Sequence, residues 1–152
     1  MSLIKVALIL VGLGCLFVAI YITRIPEPGR LNDLSSVVKS RGEKILELRL
    51  SKSGHWREAV RLSEIDPQLI ELLIAYEDNR FWKHHGVDPF AILRALKDFL
   101  VTGRITSGAS TLTMQTARLM RPELGNRRFF VKLQQMMEAL RIEAHWTKDE
   151  IL

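Results

Sequence analysis

The chain opens with a long run of apolar residues. From Val6 to Ile22 it contains no charged or strongly polar side chain, and the residues before Lys5 extend this run. The total approaches the roughly 20 residues with which a helix crosses the hydrocarbon core of a bilayer. Lys5 is compatible with that helix because its aliphatic stem can lie along apolar surface while the ammonium reaches the headgroups. The pattern therefore predicts a transmembrane anchor over residues 3–22.

A cleaved signal peptide is the main alternative for this segment. Such a peptide has a shorter apolar region and ends in a small-x-small site, whereas Ala19-Ile20-Tyr21 is bulky. Leu13-Gly14-Cys15 resembles a lipoprotein site, but the apolar run continues past it. An uncleaved anchor is thus favoured. The flanking charges do not decide its orientation, because Lys5 on one side faces Arg24 and Arg30 on the other.

The segment after the anchor changes in character twice. Residues 23–36 are predicted to be a linker, since their two prolines disfavour continuation of a helix. Residues 37–62 predict a small β element, with period-two alternation in Ile45–Leu50 and turns at Arg41-Gly42 and Ser53-Gly54.

From Asp66 onward the apolar spacing becomes helical. Asp66-Pro67 and Asp88-Pro89 each provide an N-cap followed by proline at the first helical position. Two further helices are predicted over 111–120 and 127–145, and Thr147–Glu150 is a capping box that opens another. Apolar residues at three- and four-residue spacing follow the first two helix starts: Leu69, Leu72, Leu73 and Tyr76, then Phe90, Leu93, Leu96 and Leu100.

The last capping box lies close to Leu152, the final residue. We therefore expect residues 63–152 to be the N-terminal part of a mainly α domain that is truncated at its C-terminus. The helices over 111–120 and 127–145 would then lack packing partners. For a marginally stable domain this is a large loss, so we expect the isolated 152 residues to fold incompletely.

Charge narrows the classes of partner. The net charge of +5 suits anionic headgroups or a pyrophosphate. Nucleic acid would match the sign, but aromatic and basic residues do not alternate along a strand and no nucleic-acid motif is present. The lone cysteine, Cys15, lies inside the apolar run, so the remaining sequence forms no intramolecular disulfide.

A first polar cluster begins at the end of the helix that starts at Asp66. Glu77 stands beside Asp78, and a glutamate so placed can serve as a general base. The alternative is a structural carboxylate paired with Arg80. His84 is expected to be an oriented hydrogen-bond partner near Glu77. No metal site is predicted, because the rings of His84 and its neighbour diverge and no Cys/His/Asp spacing supports one.

A second cluster precedes the helix over 111–120. Its first backbone N–H groups would be free to bind an anion, although Ser110 or Thr111 could equally be only the N-cap. Gln115 and Arg118 are three residues apart and project from one helical face. The two clusters together suit acid/base chemistry on a phosphate-bearing substrate.

The order of these clusters resembles the peptidoglycan glycosyltransferases, glycosyltransferase family 51, which form part of class A penicillin-binding proteins. The resemblance runs from about Ser63 to Leu152. Lys132 to Glu143 is more loosely similar to the family's third signature. The first two signatures read Glu77-Asp78-x-x-Phe81-x-x-His84-x-Gly86 and Gly108-x-Ser110-Thr111-Leu112-Thr113-x-Gln115.

Some positions depart from the family pattern. Asn79 replaces an arginine, Met114 replaces a glutamine, Val131 replaces an arginine, and Gln135 replaces a glutamate. The Met-Gln variant, with Val-Asp-Pro after Gly86, is similar to the 1C type of these proteins.

The resemblance implies a lysozyme-like helical domain that polymerises lipid II. The growing glycan chain would pass from undecaprenyl pyrophosphate to the 4-hydroxyl of lipid II with inversion, and Glu77 would be the base. Arg118 would replace the family's lysine at the donor phosphates. The substrate-binding residues implied are Asp78, His84, Ser110, Thr111, Gln115, Arg118 and Lys132.

A second carboxylate normally assists in this family. Gln135 occupies that position without a charge, and Glu138 is a candidate substitute on the same helical face. No cofactor is required by the sequence, although a divalent cation, Mg²⁺ or Mn²⁺, is compatible with the pyrophosphate. The resemblance also implies a single-pass protein of the bacterial inner membrane, with its catalytic part on the periplasmic side and other cell wall synthesis proteins as partners.

Two further classes of function stay open at this stage. A lysozyme-like hydrolase would also use a glutamate in a helical domain, with water as acceptor. A non-catalytic, membrane-anchored interaction module is made credible by Gln135 and by the end of the chain. The glycine-flanked hydroxyl signature and Arg118 favour a pyrophosphate donor over both.

Overall fold

A computed structural model describes residues 3–104, 108–125 and 129–152. These residues form six α-helices and one antiparallel pair of short strands. The predicted mainly α fold with an apolar N-terminal helix and a small β element is confirmed. The helices are α1 (Leu3–Ile22), α2 (Pro67–Glu77), α3 (Pro89–Thr102), α4 (Leu112–Met120), α5 (Phe129–Glu143) and α6 (Lys148–Ile151).

Helix α1 is long and apolar enough to be a candidate membrane span. Its mean hydropathy is 2.7, and none of its residues is buried by the rest of the chain. Tyr21, in its last turn, contacts α5 by donating a hydrogen bond from its hydroxyl to Glu138. His145 reinforces this contact, since its Nε2 lies 3.2 Å from the carbonyl oxygen of Thr23.

The β element is smaller than the segment for which it was predicted. Strand β1 (Ser36–Lys39) pairs with β2 (Ile45–Arg49), and both strands are exposed along their length. The segment from 55 to 61 contains no strand, although residues 55 and 57 bond to Ser35. Because neither face of this hairpin is buried, packing contributes little to its stability.

Local capping determines where the helices begin. The carboxylates of Asp66 and Asp88 accept hydrogen bonds from backbone N–H groups two residues on, and the following prolines occupy the first helical positions. Gly103 ends α3 in the left-handed conformation, with φ +67°. The Thr147 capping box opens α6 as predicted.

The core lies between α4, α5, α6 and the short turn that follows α2. Phe81 is completely buried at its centre, with Leu112, Ala117, Met120, Ile142 and Ile151 around it. Helices α4 and α5 pack against each other, but both keep exposed apolar side chains, as expected: Leu119, Phe129, Phe130 and Leu133. The apolar stripes of α2 and α3 are exposed as well: Leu69, Leu72, Leu73, Tyr76, Phe90, Leu93, Leu96 and Leu100.

Candidate active site

The C-terminal end of α2 is fastened to the N-terminus of α4. Asp78, the residue after the helix, is buried, and its carboxylate accepts the backbone N–H of Leu112 at 2.9 Å. The same carboxylate accepts a hydrogen bond from Nε2 of the buried His84, at 3.0 Å to each oxygen. Since a carboxylate only accepts, Nε2 of His84 carries the proton. Asp78 and His84 thus form a buried pair that positions the two signatures against each other.

His84 is an oriented hydrogen-bond partner, as expected, and its partner is Asp78, the residue next to Glu77. The ring is only 4% exposed. The ring of Phe81 helps to cover it, since the two rings pack edge-on with 6.3 Å between their centroids. His84 therefore supports the site from within the protein and does not line its surface.

The N-terminus of α4 is also different from the expected anion site. Thr111 is its N-cap, and Oγ1 of this residue accepts the N–H of Met114 while donating to the carbonyl of Gly86. The N–H of Leu112 is occupied by Asp78. At least two of the helix's first N–H groups, those of Leu112 and Met114, are therefore committed within the protein.

Glu77 is exposed at the end of α2, and its carboxylate has one partner on α4. Nε2 of Gln115 donates to Glu77 Oε2 at 2.8 Å. Arg80, the alternative partner considered from sequence, lies elsewhere. Its Nε is 3.1 Å from Asp88, and its guanidinium stacks over the Phe90 ring at 4.4 Å. Glu77 is thus oriented by an amide and not neutralised by this arginine.

Two clefts meet at Glu77. The larger, of about 460 Å³, extends along Asn79, Arg80, Asp88 and Arg94, and the smaller, of about 250 Å³, contains Arg118 and Gln135. The side chains lining both are Glu77, Ser110 and Gln115. The carboxylate therefore stands on the wall between two compartments, where it can reach a molecule in either one.

The smaller cleft has a cationic edge. Lys132 on α5 donates a hydrogen bond to Ser110 Oγ, and burial lowers the pKa of Lys132, with the positive charge of Arg118 as the second cause. Arg118 lines the cleft, and Lys132 reaches its wall through the hydrogen bond to Ser110, so like charges meet at this edge. A bound dianion would relieve this repulsion, so the pair is well suited to a phosphate group.

Gln135 and Glu138 differ in their access to this cleft. Gln135 lines it, although its amide also donates to the carbonyl of Leu124. Glu138 is 1% exposed, and its carboxylate is paired with Arg141 at 2.7 Å and with Arg121 at 3.6 Å. The suggestion that Glu138 substitutes for a missing second carboxylate is wrong, because its carboxylate is buried and forms ion pairs with Arg141 and Arg121.

The compatibility of a divalent cation with the pyrophosphate stays a prediction. Among the described residues no group of three or more His, Cys, Asp or Glu side chains is arranged to hold a metal ion. Around the smaller cleft the charged groups are Glu77, Arg118 and Lys132, a set that fits phosphate oxygens better than a cation.

A further network joins α4 to the C-terminal helices. Thr113 donates to Glu143 Oε1 at 2.6 Å, and Lys148 donates to the same oxygen at 2.6 Å. No sequence pattern marks Thr113 or Lys148 as a site residue, and none marks Arg94 in the larger cleft. Each of these contacts joins residues from separate elements, and no local pattern marks them.

Comparison with known proteins agrees with this geometry. The family model described as Transglycosylase matches residues 41–152. Penicillin-binding protein 1C of Escherichia coli is 48% identical over 99 residues, which is 65% of this chain and 13% of that protein. Penicillin-binding protein 1A of the same organism is 45% identical over 98 residues, or 63% of this chain and 11% of that protein.

A shorter relative matches nearly the whole chain. The biosynthetic peptidoglycan transglycosylase of Rhodospirillum centenum is 34% identical over 153 residues, covering 97% of this chain and 59% of that protein. The chain therefore spans just over half of this relative and about an eighth of the two penicillin-binding proteins. The expected likeness to penicillin-binding protein 1C is confirmed, and the matched range contains both clefts. The chain belongs to the transglycosylase family, the peptidoglycan glycosyltransferases with a lysozyme-like helical domain.

Proposed function

We propose that this chain carries the acid/base part of a peptidoglycan glycosyltransferase, which polymerises lipid II into glycan strands. The observation that carries the proposal is the position of Glu77 between two clefts, one of them edged by Arg118 and Lys132. A transferase needs two substrate compartments with a base between them. A hydrolase needs only one glycan site and a water.

The reaction assigns a role to each side. The acceptor's 4-hydroxyl lies in the larger cleft and gives its proton to the Glu77 carboxylate. Its oxygen forms a bond to the anomeric carbon of the donor as the bond from that carbon to the pyrophosphate oxygen breaks. Undecaprenyl pyrophosphate leaves with the bonding electrons, and attack from the opposite face inverts the configuration.

The smaller cleft stabilises the leaving group. Arg118 presents two N–H groups in a fork that matches two phosphate oxygens, and Lys132 adds a compact charge. Hydrogen bonds fix the positions of these groups. Lys132 bonds to Ser110, and Gln115 bonds to the base, Glu77. The mechanism thus depends on charge that is already in place when the pyrophosphate departs.

The membrane is part of the same proposal. Helix α1 is a candidate span, and Tyr21 and Thr23 at its end contact residues 138 and 145 of the domain. We propose a single-pass protein of the bacterial inner membrane with the clefts on the periplasmic side, where lipid-linked glycan is polymerised. A Ser53→Cys variant in intact cells should be labelled by a maleimide that does not cross the inner membrane. Labelling only after lysis would show that the domain lies on the cytoplasmic side.

The catalytic proposal is tested in the full-length protein that the gene encodes, supplied with labelled lipid II in detergent. Glu77→Gln should lower polymerisation by about 10²- to 10⁴-fold, the usual contribution of a general base. Glu71→Gln is the control, since Glu71 is exposed on the same helix and lies outside both clefts. Retained activity in Glu77→Gln would refute the base assignment. Cleavage of finished glycan without lipid II incorporation would identify a hydrolase, and neither activity in the unmutated protein would favour the interaction module.

A further inference from the structure

The larger cleft contains a cation, Arg94, that lies outside the family signatures and has no role in the mechanism above. Arg94 lies on α3 three residues after Ala91, so the two share one helical face, and both line this cleft. Among the residues that the structure describes, no acid forms an ion pair with the Arg94 guanidinium.

The other charges in the larger cleft are committed. Arg80 is bound by Asp88, the buried N-cap of α3. Asp78 is bound by His84 and by a backbone N–H, and Glu77 accepts from Gln115. Among the described residues Arg94 is therefore the cation of this cleft that has no ion pair, whereas Arg80 has one with Asp88.

The chemistry of the two substrates indicates which anion this is. In the donor the pyrophosphate is bonded directly to the reacting carbon, so the cations that bind it must lie close to Glu77. Arg118 lines the smaller cleft together with Glu77, and Lys132 bonds to Ser110 in the wall of that cleft. The acceptor reacts through the 4-hydroxyl of its terminal sugar, and its own pyrophosphate is a disaccharide away. A cation in the larger compartment, on a different helix from Glu77, suits this more distant group.

We propose that Arg94 binds the pyrophosphate of the acceptor lipid II and so determines how that substrate lies in the larger cleft. This inference rests on the proposed function and names a residue for its second substrate. One arginine then serves each cleft: Arg118 holds the pyrophosphate that leaves, and Arg94 holds the pyrophosphate that is retained. Because the retained group keeps its charge throughout the reaction, Arg94 contributes to acceptor binding and leaves the chemical step unchanged.

The test separates the two substrates in the full-length protein. The donor is lipid II with a blocked 4-hydroxyl, which cannot act as acceptor, and the acceptor is varied. Arg94→Gln should raise the acceptor KM about tenfold or more, the loss expected for a hydrogen bond to a charged group, with kcat and donor KM unchanged. Arg94→Lys should recover part of the loss, because it keeps the charge without the fork. Lys97→Gln, an exposed cation on the same helix outside both clefts, should change nothing.

Two acceptor analogues identify the anion. With a neutral linker in place of the pyrophosphate, the unmutated protein and Arg94→Gln should show the same acceptor KM. With the peptide removed and the pyrophosphate kept, the difference between them should persist. An effect that follows the peptide would overturn the assignment to pyrophosphate, as would an unchanged acceptor KM or a raised donor KM.

Failure of this inference can be told apart from failure of the proposed function. If the unmutated protein transfers glycan and Glu77→Gln does not, the function holds and an unchanged acceptor KM counts against Arg94 alone. If no transfer occurs, binding of fluorescent lipid II in nanodiscs is compared between Glu77→Gln and the Glu77→Gln/Arg94→Gln double variant. Equal affinities there would also overturn the role of Arg94.

Discussion

The hydrogen bonds by which Asp78 joins the end of α2 to the start of α4 can be tested by changing Asp78 to Asn. The side chain keeps its shape, but one oxygen becomes an NH₂ group and the charge is lost. Leu112 N–H and His84 Nε2–H both reach Oδ2, at 2.9 and 3.0 Å, and Nε2 also lies 3.0 Å from Oδ1. An NH₂ group at the Oδ1 position would therefore face the His84 N–H donor to donor. A hydrogen bond to a charged group contributes about 1.5–3 kcal/mol, and a buried donor left without an acceptor costs a similar amount.

The expected loss is therefore about 1.5–3 kcal/mol for Asp78→Asn and about 3–5 kcal/mol for Asp78→Ala, which removes both contacts. The loss should be local to the start of α4, because that is where the acceptor is missing. Hydrogen exchange followed by mass spectrometry on the full-length protein measures it directly. Amides at the start of α4 should exchange about 10- to 150-fold faster in Asp78→Asn, the factor that corresponds to this loss in opening free energy.

Asp149→Asn supplies the matched control, since it makes the same chemical change at an exposed position on α6. It should leave exchange in α4 unchanged. If Asp78→Asn exchanged at the unmutated rate over residues 112–116, the Asp78 carboxylate would not be what holds α4, and the account of how the site is assembled would be wrong. Faster exchange across every helix in Asp78→Asn would likewise argue against a local fastening.

Three other perturbations test separate parts of the site. Gly86→Ala should cost more than about 2 kcal/mol, because φ is +84° and a Cβ would lie 2.6 Å from the α5 backbone; faster exchange in α5 would show it. Burial lowers the pKa of Lys132 below the usual lysine value of 10.5. Between the lowered pKa and 10.5 the folded state therefore binds fewer protons than the unfolded state. The free energy of unfolding should rise with pH across that window. As pH rises through the lowered pKa the cation is lost and the donor KM should increase, and Arg118→Gln should move this increase to higher pH. Tyr21→Phe should cost about 1–3 kcal/mol at the contact between α1 and α5, measured by exchange in α5. In a double-mutant cycle this cost should vanish in a Glu138→Leu background, which has no acceptor for the tyrosine hydroxyl.

The helices were largely predictable because their starts are encoded locally. An acidic N-cap followed by proline, or a capping box, needs only adjacent residues, and α2, α3 and α6 begin where those patterns place them. The strands were less well predicted. Their alternation is real, but no packing face supports the third stretch, and the sheet stops at two strands.

Partners across the site could not be predicted in the same way. Asp78 bonds to an amide 34 residues along the chain, and Glu138 bonds to a tyrosine 117 residues away. Sequence proximity suggested Arg80 as the partner of Glu77, but the N-terminus of α3 brings Asp88 closer to that guanidinium. Residue types in a motif indicate what chemistry is available, whereas pairing depends on how the helices pack.

The carboxylates and cations around Glu77 are distributed in a consistent way. The position that carries a second glutamate in the family pattern is Gln135, and the nearby Glu138 is enclosed by Arg121 and Arg141. Among the described residues, the smaller cleft and its edge carry one acid, Glu77, and two cations, Arg118 and Lys132. That balance of charge suits the oxygens of a pyrophosphate. Arginine at 118 suits this arrangement better than lysine would, because its fork can hold two phosphate oxygens at once. In the proposed mechanism the missing carboxylate and the arginine therefore act in the same direction, because both place stabilisation of the leaving group on side chains of the protein.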